Sequence, residues 1–109
     1  QASAGVEPSF EDIMHYVSEG FGLTEEQICS RLRRREIVVA RNTLFYLVRK
    51  HTHLTLQEIG SRVNKRHSTV IKGISAVEHE ISSASPSGRQ ISRVISLIER
   101  NTGIAASAL

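Results

Sequence analysis

The chain holds a single cysteine among 109 residues, so no internal disulfide can staple it. A core held by packing alone, in a reducing setting, is the simplest consequence. Cys29 is then read as a small buried hydrophobe on a short helix, the usual fate of a free thiol. No run of eighteen apolar residues is present, which excludes a membrane-spanning helix. The basic, apolar pattern of an export signal is also missing from the start, and the expected location is the cytoplasm. There is no glycine-rich loop ending in Lys-Ser or Lys-Thr to cradle a nucleotide, so no ATP-driven step is expected within these residues. His51 and His53 lack a Cys or carboxylate at metal-ligand spacing and read as solvated, and no nucleophile motif accompanies any histidine. These absences point away from an enzyme, a metal site and a small-molecule substrate.

Charge of one sign is missing from long stretches. The first thirty residues carry six acids and neither Lys nor Arg, whereas residues 31–72 carry eleven Lys or Arg against only Glu36 and Glu58. The remainder is balanced, leaving a net charge of +3. A folded domain with that distribution shows a basic middle to a polyanion while its acidic end points elsewhere.

What is present is helical. At 39% hydrophobic residues, the length suits one small domain with a single core. Ser9 with Asp12, Thr24 with Gln27, and Thr55 with Glu58 have the spacing of capping boxes, each followed by apolar residues at helical spacing. The first helix carries Phe10, Ile13, Met14 and Val17 and ends at Gly20 and Gly22. A third, from Glu36 to about Lys50, keeps Ile37, Ala40, Leu44, Leu47 and Val48 in period and serves as the central strut. A short fourth helix ends near Val63, and a fifth runs from about His67 or Ser68 to Ile81. Ser82 to Gly88 reads as a loop, and Ser87 with Gln90 as the cap of a sixth helix bearing Ile91, Val94, Ile95 and Ile98 and stopped by Gly103. The domain is expected over 9–103, with 1–8 a disordered leader and 104–109 a frayed C-terminus. The start at Gln1, without Met, suggests a piece of a longer chain.

Between the fourth and fifth helices the apolar spacing breaks into Asn64-Lys65-Arg66-His67-Ser68-Thr69. Asn64 tolerates the left-handed conformation that would stop the fourth helix. The row therefore reads as the corner of a helix-turn-helix. Gly60 would let its two helices approach, and Ile59, Val63, Val70 and Ile74 would pack the corner onto the strut. The polar residues then fall at the start of the fifth helix, where backbone N–H groups lack intrahelical partners and favour an anion. In DNA-binding corners these residues face base edges. Arg31, Arg33, Arg34 and Arg35 form a basic loop able to track phosphates or place an arginine in a minor groove, and Lys72 extends the basic face.

The stretch from Ser30 to Ile74, with its basic loop, the Ala40-Arg41 step, Leu56-x-x-Ile59-Gly60 and Arg66-His67-Ser68-Thr69-Val70, resembles the C-terminal DNA-binding domain (domain IV) of the bacterial replication initiator DnaA. The likeness extends over roughly residues 10–102. It implies an all-α fold of about six helices, Trp-repressor-like, with a helix-turn-helix that recognises double-stranded DNA at a replication origin. By the same resemblance His67, Ser68 and Thr69 enter the major groove and Arg33 reaches the minor groove, with Arg31, Arg34 and Arg35 beside it. Lys65 would supply charge in the turn, and Thr55 and Gln57 would meet the backbone. Arg66 stands where the family commonly has an acid, and it favours guanine O6/N7 or a phosphate over cytosine N4. ATP would bind only a separate ATPase domain. Partners compatible with the same surface are further copies on adjacent sites and acidic phospholipid. The alternatives are a recognition arm of a transposase-type protein and a protein-docking helical module; sequence-selective binding to duplex DNA separates a DNA reader from a docking module.

Overall fold

Four of the described helices begin where a hydroxyl side chain can replace a missing backbone partner. A computed structural model describes residues 8–102, and within them the chain is all-helical, with six helices and no strand. Helix α1 spans Phe10–Phe21, α2 Glu25–Cys29, α3 Arg35–His51, α4 Leu56–Arg62, α5 His67–Ser83 and α6 Pro86–Thr102. The stop at Gly103, the C-terminal residues 104–109 and all but Pro8 of the leader lie outside the described residues. Ser9, Thr24 and Thr55 each close a reciprocal capping box, so α1, α2 and α4 start as their spacing requires. Gly22, at φ 68°, ends α1 in the left-handed region that a Cβ disfavours.

Helix α3 is the strut: it packs against each of the other five helices. Ile37, Ala40, Leu44, Phe45, Leu47 and Val48 are buried along it. All of these but Ile37 meet Ile13 and Val17 of α1, Ile28 of α2, Ile59 of α4, Val70 and Val77 of α5, and Ile91 and Val94 of α6 in one core. The β-branched start Ile37-Val38-Val39 does not make a strand, because its apolar residues continue at helical period for about three turns, to Val48.

The connection between α5 and α6 is shorter than the sequence suggests. Instead of a loop over Ser82 to Gly88, α5 continues to Ser83, Ala84 takes a left-handed φ of 53°, and α6 starts at Pro86. Ser85, not Ser87, caps it: its hydroxyl accepts from the Gly88 N–H at 3.0 Å. Pro86 at the first helical position has the φ a helix needs and lacks only an N–H that would have had no partner. His51 also departs from its solvated reading. Its Nε2 lies 2.7 Å from Glu99 Oε2, the two side chains only 9% and 15% exposed, and Lys50 Nζ reaches the same oxygen at 3.0 Å. Burial pushes the Glu99 carboxyl up, but the hydrogen bonds from Lys50 and His51 outweigh it and hold the group below its usual range. This ties the end of α3 to α6.

Candidate nucleic-acid interface

The corner between α4 and α5 is built by close backbone approach. Lys65 N–H donates to Gly60 C=O at 2.8 Å, and Asn64 reverses the chain at φ 61°. A methyl on Gly60 would overlap the Lys65 carbonyl, so the turn passes directly over the α4 backbone. Ile59, Val63 and Val70 are buried beneath it, with Ile74 partly buried, as the apolar spacing predicts. His67, Ser68 and Thr69 are exposed at the start of α5. Arg66 is its N-cap residue and makes no side-chain cap. Helix α3 likewise begins after Arg34 with no side-chain cap. The two helices that open beside the basic residues thus leave their first-turn N–H groups without a side-chain acceptor, whereas α1, α2 and α4 do not.

An open groove joins the loop to the corner. It is lined by Arg31 and Arg33 from the loop, Arg41 and Asn42 from α3, Lys65 from the turn, and Thr69 and Lys72 from α5. A second concavity, which shares Lys65, is lined by Gln57 and Ser61 of α4 with Arg66, His67 and Ser68. No carboxylate lines either surface among the described residues. Lys65 is shared by both and shows their electrostatics: burial, then the Arg41 and Arg31 charges, push its ammonium pKa down. A cation disfavoured by neighbouring cations marks a positive potential, which an anion would relieve.

Other sequence-selected residues lie differently. Arg34 pairs with Glu36 at 2.9 Å on the exposed surface. Arg35 turns toward α6, its Nη2 2.5 Å from Ser87 Oγ. Thr55 is engaged within its capping box: its hydroxyl accepts from the Glu58 N–H at 3.1 Å, and its backbone N–H and hydroxyl both hydrogen-bond the Glu58 carboxylate and hold that group below its usual range. Cys29 is half-buried against the core, and burial raises its thiol pKa.

The residue that sequence reading passed over is Arg41. It is 6% exposed, and its guanidinium donates to three carbonyls: Ile28 at 2.7 Å, Ser30 at 2.8 Å and Leu32 at 3.2 Å. Lys65 Nζ meets the Ser30 carbonyl as well, at 3.0 Å. The arginine loop is therefore fixed from below by α3 and from the side by the turn of the corner. A signal for this existed: Arg41 lies four residues from both Ile37 and Phe45, on the buried stripe of α3, where a charge needs internal partners.

Known proteins are similar to this chain in sequence. Residues 10–77 match the family model for the bacterial DnaA protein helix-turn-helix. The chromosomal replication initiator protein DnaA of Oleidesulfovibrio alaskensis is 52% identical over 89 residues, which cover 82% of this chain and 19% of that protein. The protein of the same name from Chloroflexus aurantiacus is 39% identical over 93 residues, 84% of this chain and 19% of its own length. The chain thus spans about a fifth of the curated relatives it matches. With the family model matched over residues 10–77 and relatives of this identity, the chain belongs to the bacterial DnaA helix-turn-helix family.

Proposed function

We propose that this chain binds duplex DNA sequence-selectively, as the origin-recognition module of a chromosomal replication initiator or a close relative of one, in the cytoplasm on the nucleoid. The observation that carries the reading is the groove that brings Arg31 and Arg33 together with Lys65, Thr69 and Lys72, with His67 and Ser68 exposed alongside. A helix end entering a major groove and an arginine loop resting in the neighbouring minor groove need this arrangement of one basic surface on two elements. The names of the relatives supply the setting, chromosomal replication.

The roles follow from chemistry and position. His67, Ser68 and Thr69 present side-chain donors and acceptors to base edges, and Arg66 beside them suits the O6/N7 pair of guanine. Arg31 and Arg33 serve the minor groove and its phosphates. Lys72 and the uncapped N–H groups of α5 and α3 hold phosphates, as do Thr55 and Gln57 at the start of α4. Arg34 and Arg35 add charge at the edge of this surface. Neighbouring copies can occupy adjacent sites. No catalytic residue is assigned.

Selection from random duplexes tests the reading. A single preferred site is expected, with His67→Ala weakening it by about 1–3 kcal/mol while leaving random DNA less affected. Equal losses on selected and random duplexes would remove the base-reading role of His67. Absence of any preferred duplex would remove the function.

A further inference from the structure

The chain has three lysines, Lys50, Lys65 and Lys72, in unlike surroundings. Lys50 donates to the Glu99 carboxylate at 3.0 Å, and Lys72 is exposed on α5. Lys65 is half-buried, and its Nζ donates to the Ser30 carbonyl at 3.0 Å, an oxygen that Arg41 Nη2 also reaches at 2.8 Å. The charged groups around it are Arg41 of α3 and Arg31 and Arg33 of the loop, with the Cys29 thiol beside them. Burial first, then the neighbouring cations, holds its ammonium below the usual lysine range. An ammonium has no lone pair, so a lysine becomes a nucleophile only as the neutral amine, the form these surroundings favour. Losing the proton does not cost the Ser30 contact, because two N–H groups remain.

We infer that Lys65 is a modification site, acylated at Nζ by a small acyl phosphate whose phosphate docks on Arg31 and Arg33, and that the acylated chain releases duplex DNA. The acylation stands apart from the DNA-binding reading, whereas its consequence rests on that reading. The groove suits such a donor because the same open surface holds guanidinium groups for the phosphate and the amine for the acyl carbon, with no described carboxylate to repel the phosphate. The neutral amine attacks the acyl carbonyl, a C–N bond forms and the C–O bond to phosphate breaks. Inorganic phosphate leaves with the electron pair of that bond and takes up the amine proton. The amide product keeps one N–H for the Ser30 carbonyl but loses the charge and fills part of the groove.

The unaltered chain is incubated with acetyl phosphate near neutral pH, and acetylation at each lysine is followed over time by peptide mass spectrometry. Lys65 is expected to react about fivefold or more faster than Lys72, with Lys50 slower still. Inorganic phosphate, competing for the arginines, should slow Lys65 and leave Lys50 unchanged. Lys65 reacting no faster than Lys72, or all three lysines slowed equally by phosphate, overturns the inference and leaves DNA binding intact. Chain acetylated at Lys65 alone is then titrated with the selected duplex. Its affinity is expected to fall about tenfold, as a charge-assisted contact is lost. The slope against salt should become shallower by about one. Lys65→Arg has no amine to acylate, so its affinity should match its own untreated value at a dose that leaves Lys72 unreacted. Undiminished binding by the acetylated chain, or an equal loss in treated Lys65→Arg, overturns the consequence. Failure to recover any selected duplex overturns the DNA-binding reading and this consequence together, while the lysine rates still decide the acylation.

Discussion

A buried guanidinium is costly unless its donors are used, and Arg41 uses them on three carbonyls that would otherwise need water. Lysine could not copy this, because its ammonium is a point donor without the planar fork. Arg41→Met is expected to lower stability by about 2–4 kcal/mol, read as a shift in the urea midpoint. The same variant should lose binding more than its stability loss explains, because Arg31 and Arg33 would no longer be held beside α5. Arg41→Lys should fall between the two. Unchanged affinity at a concentration where the variant remains folded would show that the loop needs no anchor. Arg41 also shows what the sequence left hidden. Its position on the apolar stripe was legible, but the carbonyls that satisfy it belong to Ile28, Ser30 and Leu32, and only the fold brings these to α3.

At the level of elements, the capping boxes of α1, α2 and α4 and the left-handed Asn64 were legible because each is set by a few neighbouring residues. The α5–α6 junction was not. Pro86 reads equally as a loop residue or as the first residue of a helix, and the packing of Gly88 against the Glu80 carbonyl, which selects the second, is a tertiary contact. The same distinction applies to the basic run. Its charge was plain and the Arg34–Glu36 pair is local, two residues apart, yet the turn of Arg35 to Ser87 depends on how α3 meets α6. The corner itself has a sharp test in Gly60. Gly60→Ala should cost about 1–3 kcal/mol, since a methyl there meets backbone at Lys65 and not a flexible side-chain end. Thermal unfolding measures this, and a neutral or stabilising result would mean that the turn is looser than described.

For the whole molecule, the segregation of charge along the sequence becomes a segregation in space. Six of the eleven basic residues of 31–72, Arg31, Arg33, Arg41, Lys65, Arg66 and Lys72, converge on two adjoining concavities without a carboxylate among the described lining residues. If these surfaces neutralise about six to eight phosphates, the logarithm of affinity should fall against the logarithm of salt with a slope of about −5 to −7. A slope near zero in a titration over potassium chloride would show that phosphate contacts do not drive binding.

The shared basic surface makes a geometric demand that methylation protection can read on both grooves at once. With the selected duplex bound, guanine N7 in the major groove should be shielded from dimethyl sulfate under α5, and adenine N3 in the adjoining minor groove should be shielded under the Arg31–Arg33 loop. Protection of both, about half a helical turn apart and with the minor-groove signal lost in Arg33→Ala, is the predicted result. Protection confined to one groove, or an unchanged minor-groove pattern in Arg33→Ala, would contradict it.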